Sequence, residues 1–441
     1  MLSITSQYLA RYRRLVGDRS DTLLPVTGAQ RRFVLVRSLD PSGRPDLVPM
    51  FFAFPYGTID PERLRAAARG LAARHTALRS RVGVVRGTPV LSVPADPDAV
   101  VTRPDLLPGE SPADAIRRAL ASWDAQGPAM RLLLVSDEER EEDILAVVLD
   151  HAACDGRSLA RIVDELGAAY DEDDPAAPTA PEETHAELAA YRDAVLGQLA
   201  AEERAETPEA AAYWADRLRA IDTHAPAPRP ARVPEGARPS GAAQARLPAH
   251  EGGGVSFPGL LDACRAATGE LYGTDRTVPL GYPWGGRPAG AEPVIGCFLN
   301  TLVFPVDTGR GSGPRPGPGP GTGSEGTADA WWDDLDRADV PFDAVVTAVR
   351  SAGSPWTGGL DGLLTVDDDT RRPPLKLAGV EGREIHVDGR PVRAPFALSV
   401  TQGAETRLRM VWDRAVLDDE TAHRAFDALT HALRPSDPTV R

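Results

Sequence analysis

Residues 144–170 read ILAVVLDHAACDGRSLARIVDELGAAY, and this stretch decides how the chain is interpreted. An apolar strand runs into Asp150-His151-Ala152-Ala153-Cys154-Asp155-Gly156. Beyond it, Leu159, Ile162, Val163 and Leu166 fall on one face of a helix predicted over 157–170. His151 stands where the strand ends, on a short loop between two rigid elements, which is where a general base needs to be. Asp155 can orient that loop through an ion pair, and Gly156 removes a side chain where a substrate has to pass. A plainer reading fits the same residues: Asp155 as the N-cap of the helix and His151 as an ordinary loop histidine. By composition alone, His-x-x-x-Asp-Gly should arise in such a chain about once in twenty. The local segment therefore leaves both readings open.

Working outward, 130–136 and 144–149 pair as a hairpin across the charged turn DEEREED. Strands are expected at 32–39, 47–56 and 88–94, and helices at 61–75 and 113–125. Later come helices at 186–203 and 208–220, strands at 396–400 and 408–412, and a closing helix at 420–433. The pattern is mixed α/β without the regular βαβ rhythm of a doubly wound sheet. The acidic, proline-broken segment 171–183 reads as a linker, and 223–254 as a second loose stretch. The Gly/Pro-rich run 308–326 can bury almost nothing and is expected to be mobile. The linker divides the chain into lobes 1–175 and 185–441. No repeat of regular period is present, which excludes solenoids and propellers.

With 441 residues, 42% hydrophobic and 26% charged, the chain has the balance of a globular protein with two large lobes. The net charge of −15 argues against nucleic acid as a partner. No apolar run is long enough to span a membrane, and the N-terminus lacks a signal-peptide core, so a cytoplasmic location is expected. Cys154, Cys264 and Cys297 are too few and too scattered for a disulfide framework or a zinc site. Lys376 is the only lysine.

The central segment is similar to the His-His-x-x-x-Asp-Gly motif of nonribosomal-peptide condensation domains and of the wider chloramphenicol-acetyltransferase-like acyltransferases. Other blocks resemble the condensation pattern in order: Thr27-Gly28-Ala29-Gln30, Arg74-His75-Thr76-Ala77-Leu78-Arg79 and Tyr213-Trp214. They continue with Gly281-Tyr282-Pro283-Trp284-Gly285-Gly286-Arg287, Ile295-Gly296-Cys297-Phe298-Leu299-Asn300-Thr301 and Asp339-Val340-Pro341-Phe342-Asp343. The chain departs from the pattern in four places, one of them the helix before Val340, which is cut down and partly replaced by the Gly/Pro-rich stretch 308–326. Asp150 replaces the first motif histidine and, if buried beside His151, should raise that histidine's pKa. The segment 257–276 is short, and Ala397 stands where the family often has Asp.

The resemblance implies two acetyltransferase-like lobes in a V with a tunnel between them. It makes His151 the general base or nucleophile-positioning group. Asp155 would pair with Arg287 to fix the loop, with Gly156 completing the motif, and backbone N–H groups at the helix start would help hold the oxyanion. Asp150 supports the site, and Trp284 and Asn300 are candidate substrate contacts, although Asn300 could equally close a strand. No bound cofactor or metal is needed. The donor is a phosphopantetheine thioester, supplied by an acyl or peptidyl carrier protein in trans or by coenzyme A. The acceptor is a small amine or alcohol, and the product an amide or ester. The expected protein is a free-standing, monomeric acyltransferase of natural-product assembly. A plant-type coenzyme-A motif, Asp-Phe-Gly-Trp-Gly, is absent, which favours the carrier-bound donor. The alternatives are a coenzyme-A-dependent acyltransferase and a non-catalytic recruitment module. Arg11, Arg13, Arg14, Arg31 and Arg32 form either a solvated face or a dock for an acidic carrier. Cys154, His75 and the pair Trp331-Trp332 read as packing residues.

Overall fold

The computed structural model describes residues 3–17, 22–39, 46–94, 99–124, 127–172, 180–221, 236–248, 254–273, 275–309, 324–368 and 373–434. Most of the two breaks expected at 171–183 and 308–326 lies outside these residues. By contacts the chain forms two compact units, each assembled from separate stretches.

The first unit comprises Met1–Glu206, Gly285–Asn300 and Arg371–Val387. Its five-stranded sheet has Arg383–Glu384, Leu47–Pro55, Glu142–Asp150, Met130–Asp137 and Val100–Thr102 as successive neighbours. The expected hairpin is present, Met130–Asp137 running antiparallel to Glu142–Asp150 with Leu132 opposite Val147. Side chains alternate across a strand, and here both faces are covered. One face, carrying Phe52, Leu132, Leu145, Val147 and Leu149, packs with the helices Pro61–Arg74 and Gly156–Asp171. The other, carrying Phe51, Leu133, Ala146 and Val148, packs on Ala115, Ile116 and Leu120 of the helix Pro112–Ala121. The apolar run before Asp150 is continuous for that reason.

Two sequence expectations are corrected in this unit. Residues 32–39 belong to a helix, Gly28–Leu39, and not to a strand. Thr27 Oγ1 accepts from Gln30 N (3.3 Å) while Gln30 Oε1 accepts from Thr27 N (3.0 Å), a reciprocal cap that starts the helix. That cap outweighs the strand-like composition of Phe33-Val34-Leu35-Val36. The helix Pro181–Ala205, expected to open the second lobe, groups with the first unit. Its Tyr191, Val195 and Leu199 sit in the same buried cluster as Ile162 and Leu166, and this burial takes the chain through Glu206 before it leaves.

The second unit comprises Thr207–Trp284, Thr301–Thr370 and Asp388–Arg441. Its six-stranded mixed sheet follows the order Asn300–Asp307, Thr277–Trp284, Gly362–Asp368, Phe396–Gln402, Glu405–Asp413, Ser240–Pro248. Gly362–Asp368 runs parallel to Phe396–Gln402, and Glu405–Asp413 antiparallel to Ser240–Pro248. Ser240–Pro248 lies within the stretch expected to be loose. It contains no β-branched residue and owes its extended form to register pairing with Glu405–Asp413, from Glu405 opposite Pro248 to Asp413 opposite Ser240. Among the described residues no helix is long and apolar enough to cross a membrane.

Candidate active site

The strand Glu142–Asp150 ends in a single 3₁₀ turn, His151–Ala153, before the helix Gly156–Asp171 begins. Asp150 caps that turn, its Oδ1 accepting from Ala152 N at 2.9 Å. His151 N donates to Asp46 O at 2.8 Å, which ties the turn to the start of the neighbouring strand. Cys154 is buried, its Sγ 3.8 Å from Asp150 O, and burial pushes its thiol pKa well up. A packing role fits that thiol.

Asp155 is both N-cap and ion-pair partner, so the two readings of the sequence coexist. Its Oδ1 accepts from Ser158 N (3.0 Å), Ser158 Oγ (2.9 Å) and Arg287 Nη2 (2.6 Å), and its Oδ2 from Phe298 N (3.3 Å). Arg287 also donates to Ser158 Oγ, Ala291 O and Val294 O, and its guanidinium lies 5.0 Å from the centre of the Phe298 ring. Ser158 Oγ accepts in turn from Gly296 N at 3.1 Å. Gly296 permits this close approach, because a Cβ there would meet the Phe298 ring at 2.5 Å. The physical content of the Gly…Arg and Ile-Gly-x-Phe blocks is thus a buried clamp on the end of the motif helix. Asp155 already occupies part of that helix N-terminus, which narrows the expected oxyanion contact to the groups it leaves uncapped.

Gly156 faces open space: apart from its chain neighbours and its own helix backbone, no described atom lies within 4 Å of a Cβ placed there. Packing within the described residues therefore does not demand glycine at this position.

His151 is half-buried, its Nδ1 is buried, and its ring stacks on Phe33 with centroids 4.8 Å apart and planes at 29°. Burial lowers its pKa below the ordinary 6.5; the backbone of His151 and Cys154 and the charge of Asp150 push the other way, and Arg32 adds to the lowering. The expectation that Asp150 would raise this pKa is corrected in its net result. Asp150 contributes with the expected sign, but desolvation of the imidazolium outweighs it. The Asp150 carboxylate is also engaged elsewhere, with Arg37 Nη2 at 2.6 Å.

The arginine cluster is corrected as well. Arg11, Arg13 and Arg14 are exposed on the helix Ile4–Val16. Arg31 is buried, 3.4 Å from Glu202 and 5.1 Å from the centre of the Tyr8 ring. Arg32 is desolvated, its pKa pushed down to about 10, and it acts on His151. Arg31, being buried, cannot serve a docking face.

His151, Asp150, Asp155, Gly156 and Arg287 all belong to the first unit. Asn300 is half-buried and opens the strand Asn300–Asp307. Trp284 ends a strand of the second unit, where it packs edge-on to Trp331. Trp331 stacks on Phe257, whereas Trp332 is exposed. His75 is buried, its Nε2 2.6 Å from Glu165 Oε2. Sequence reasoning missed Gln30, Phe33 and Arg37 as supports of the turn; their spacing of three and four residues was the available signal. Among the described residues no group of His, Cys, Asp or Glu is arranged to hold a metal ion.

The fold is that of the chloramphenicol-acetyltransferase-like α/β proteins. More narrowly, the chain belongs to the condensation-domain family, whose model matches residues 20–312. It is 27% identical over 384 residues to a probable non-canonical nonribosomal peptide synthetase, CymA, of Salinispora arenicola, covering 82% of this chain and 5% of that one. It is 26% identical over 422 residues to an isonitrile lipopeptide synthase of Mycobacterium tuberculosis, covering 89% of this chain and 16% of that one. The chain thus spans a small part of these relatives. Among solved structures, it is similar to the X-domain from teicoplanin biosynthesis (TM-score 0.65, 20% identity, 92% of this chain and 94% of that one). It is equally similar to the first condensation domain of the CDA synthetase (TM-score 0.65, 18% identity, 95% and 98%). Condensation domains are amide-forming acyltransferases of nonribosomal peptide and related natural-product assembly, and take phosphopantetheine-linked substrates from carrier proteins.

Proposed function

We propose that this chain joins an acyl group, delivered as a phosphopantetheine thioester on a carrier protein, to an amine or hydroxyl acceptor. His151 is the base. The acceptor nitrogen or oxygen attacks the thioester carbon and its proton passes to His151. The C–S bond breaks, and the leaving thiolate takes a proton back. With Nδ1 buried, the proton is assigned to Nε2. The observation that carries this reading is the contrast between the two titratable groups of the motif. Asp155 is engaged by Arg287, Ser158 and the Phe298 backbone, while burial shifts His151 toward its neutral form. A neutral imidazole can accept a proton, whereas a carboxylate in four hydrogen bonds serves better to fix the helix start. Open space at Gly156 supports passage of substrate beside the turn, and Asn300 and Trp284 remain our candidates for substrate contact.

The test has two arms. His151→Ala in a folded protein is expected to lose about 100-fold or more in turnover; unchanged rates would leave a non-catalytic module as the reading. The same acyl group is then delivered on coenzyme A, on a pantetheine mimic and on a carrier protein. Equal efficiency for all three would discard the carrier, since only a carrier adds a docking surface beyond the arm.

A further inference from the structure

The helix Gly28–Leu39 presents Gln30, Phe33 and Arg37 at spacings of three and four, one face of an α-helix. That face meets the His151 turn residue by residue. Gln30 Nε2 donates to Ala152 O at 2.8 Å, Phe33 stacks on the His151 ring, and Arg37 Nη2 pairs with Asp150 Oδ1. The Asp150 oxygen that takes Arg37 is the one that caps Ala152 N, so a single carboxylate joins the helix to the turn.

We infer that Arg37, acting through Asp150, is a positioning residue for His151. Asp150 adjoins the histidine in the chain and acts on its charge, and a carboxylate released to turn toward the imidazole would hold a proton on it. Arg37 draws that carboxylate toward the helix and the Ala152 N–H. The ring then keeps the orientation that Phe33 gives it and keeps a nitrogen without a proton. The charged groups acting on the ring are Asp150 from the strand end and Arg32 from the helix, and the ring itself stacks on the apolar Phe33. Arg37 balances the single anion among them. The catalytic consequence rests on His151 being the base, but the placement of the ring does not.

The experiment is a histidine NMR titration of the full chain between about pH 4.5 and 8, which covers the range where imidazole changes charge. The His151 resonance is identified by its loss in His151→Ala. Arg37→Ala should move the His151 midpoint upward, because a cation is lost and the Asp150 carboxylate is released toward the ring. Asp150→Asn, which preserves the cap on Ala152, should move it downward. The double variant should return it toward the wild-type value, and Arg37→Lys should restore it in part. A midpoint unmoved by both single variants, with thermal stability alone reduced, would overturn the inference. Midpoints that move as described while His151→Ala retains full turnover would uphold the positioning of the ring and remove its role as base.

Discussion

Two arginine–aspartate pairs flank the same turn at the same Nη2–Oδ1 distance, 2.6 Å, yet they are physically different devices. Asp155 and Arg287 are 0% and 2% exposed, and the carboxylate has further donors in Ser158 and Phe298. Asp150 and Arg37 are 12% and 19% exposed, and the carboxylate has one further donor, Ala152 N. Distance does not rank them; burial and the number of partners do. A dry pair cannot lose one member without stranding the other charge. A partly wet pair can be rehydrated, so its loss acts on orientation and proton affinity more than on folding. One pair locks the helix start, and the other trims the histidine.

The comparison breaks most visibly at the dry pair. Asp155→Ala should cost roughly 3–5 kcal/mol in denaturant unfolding, with turnover lost alongside. Asp155→Asn with normal stability but poor turnover would instead give the carboxylate a direct chemical role. Next in size is His151→Ala, with turnover down about 100-fold or more while the unfolding midpoint stays close to wild type. At the wetter pair, Arg37→Ala should lose no more than about 1 kcal/mol of stability while turnover falls about tenfold. If its stability loss matches that of Asp155→Ala, the contrast in burial does not control the energetics. The smallest effect on stability is expected for Gly156→Ala, within about 1 kcal/mol of wild type, since no neighbour meets the added methyl. A fall in turnover there would report substrate in that space.

The histidine adds a pH dependence of determined sign. Burial lowers its folded pKa below 6.5, so between that lowered value and 6.5 the unfolded chain binds more protons than the folded one. Stability from this group is present above about pH 6.5 and is lost as the pH falls toward the folded pKa. Unfolding free energy measured across that window should fall less steeply in His151→Ala than in wild type. An identical slope would mean that His151 titrates alike in both states.

Much of the turn was legible beforehand because its signals are local. The apolar run, Asp155 at the N-cap position, and the helical spacing of Leu159, Ile162, Val163 and Leu166 place strand, turn and helix within one or two residues of the observed ends. The reciprocal cap Thr27-x-x-Gln30 was equally local, and reading it would have replaced the strand expected at 32–39 with the helix that is present. The edge strand Ser240–Pro248 had no such signal: its residues have no intrinsic preference for extension, and only pairing with Glu405–Asp413 makes them a strand. Arg31 and Arg32 looked like surface charge because burial is not a property of the residue, and Glu202 lies 171 positions away from Arg31 in the chain.

By itself, the sequence determined the order of the motif blocks, the mixed α/β character, and a histidine at the end of a strand with a capping aspartate behind it. These follow from side-chain period and capping chemistry, which act over a few residues. Tertiary structure alone decided which charges are dry, which arginine takes Asp150, and that desolvation sets the net pKa shift of His151. Those outcomes depend on how much water each group loses and on which distant side chain replaces it, and both are fixed only when separate stretches of chain pack together.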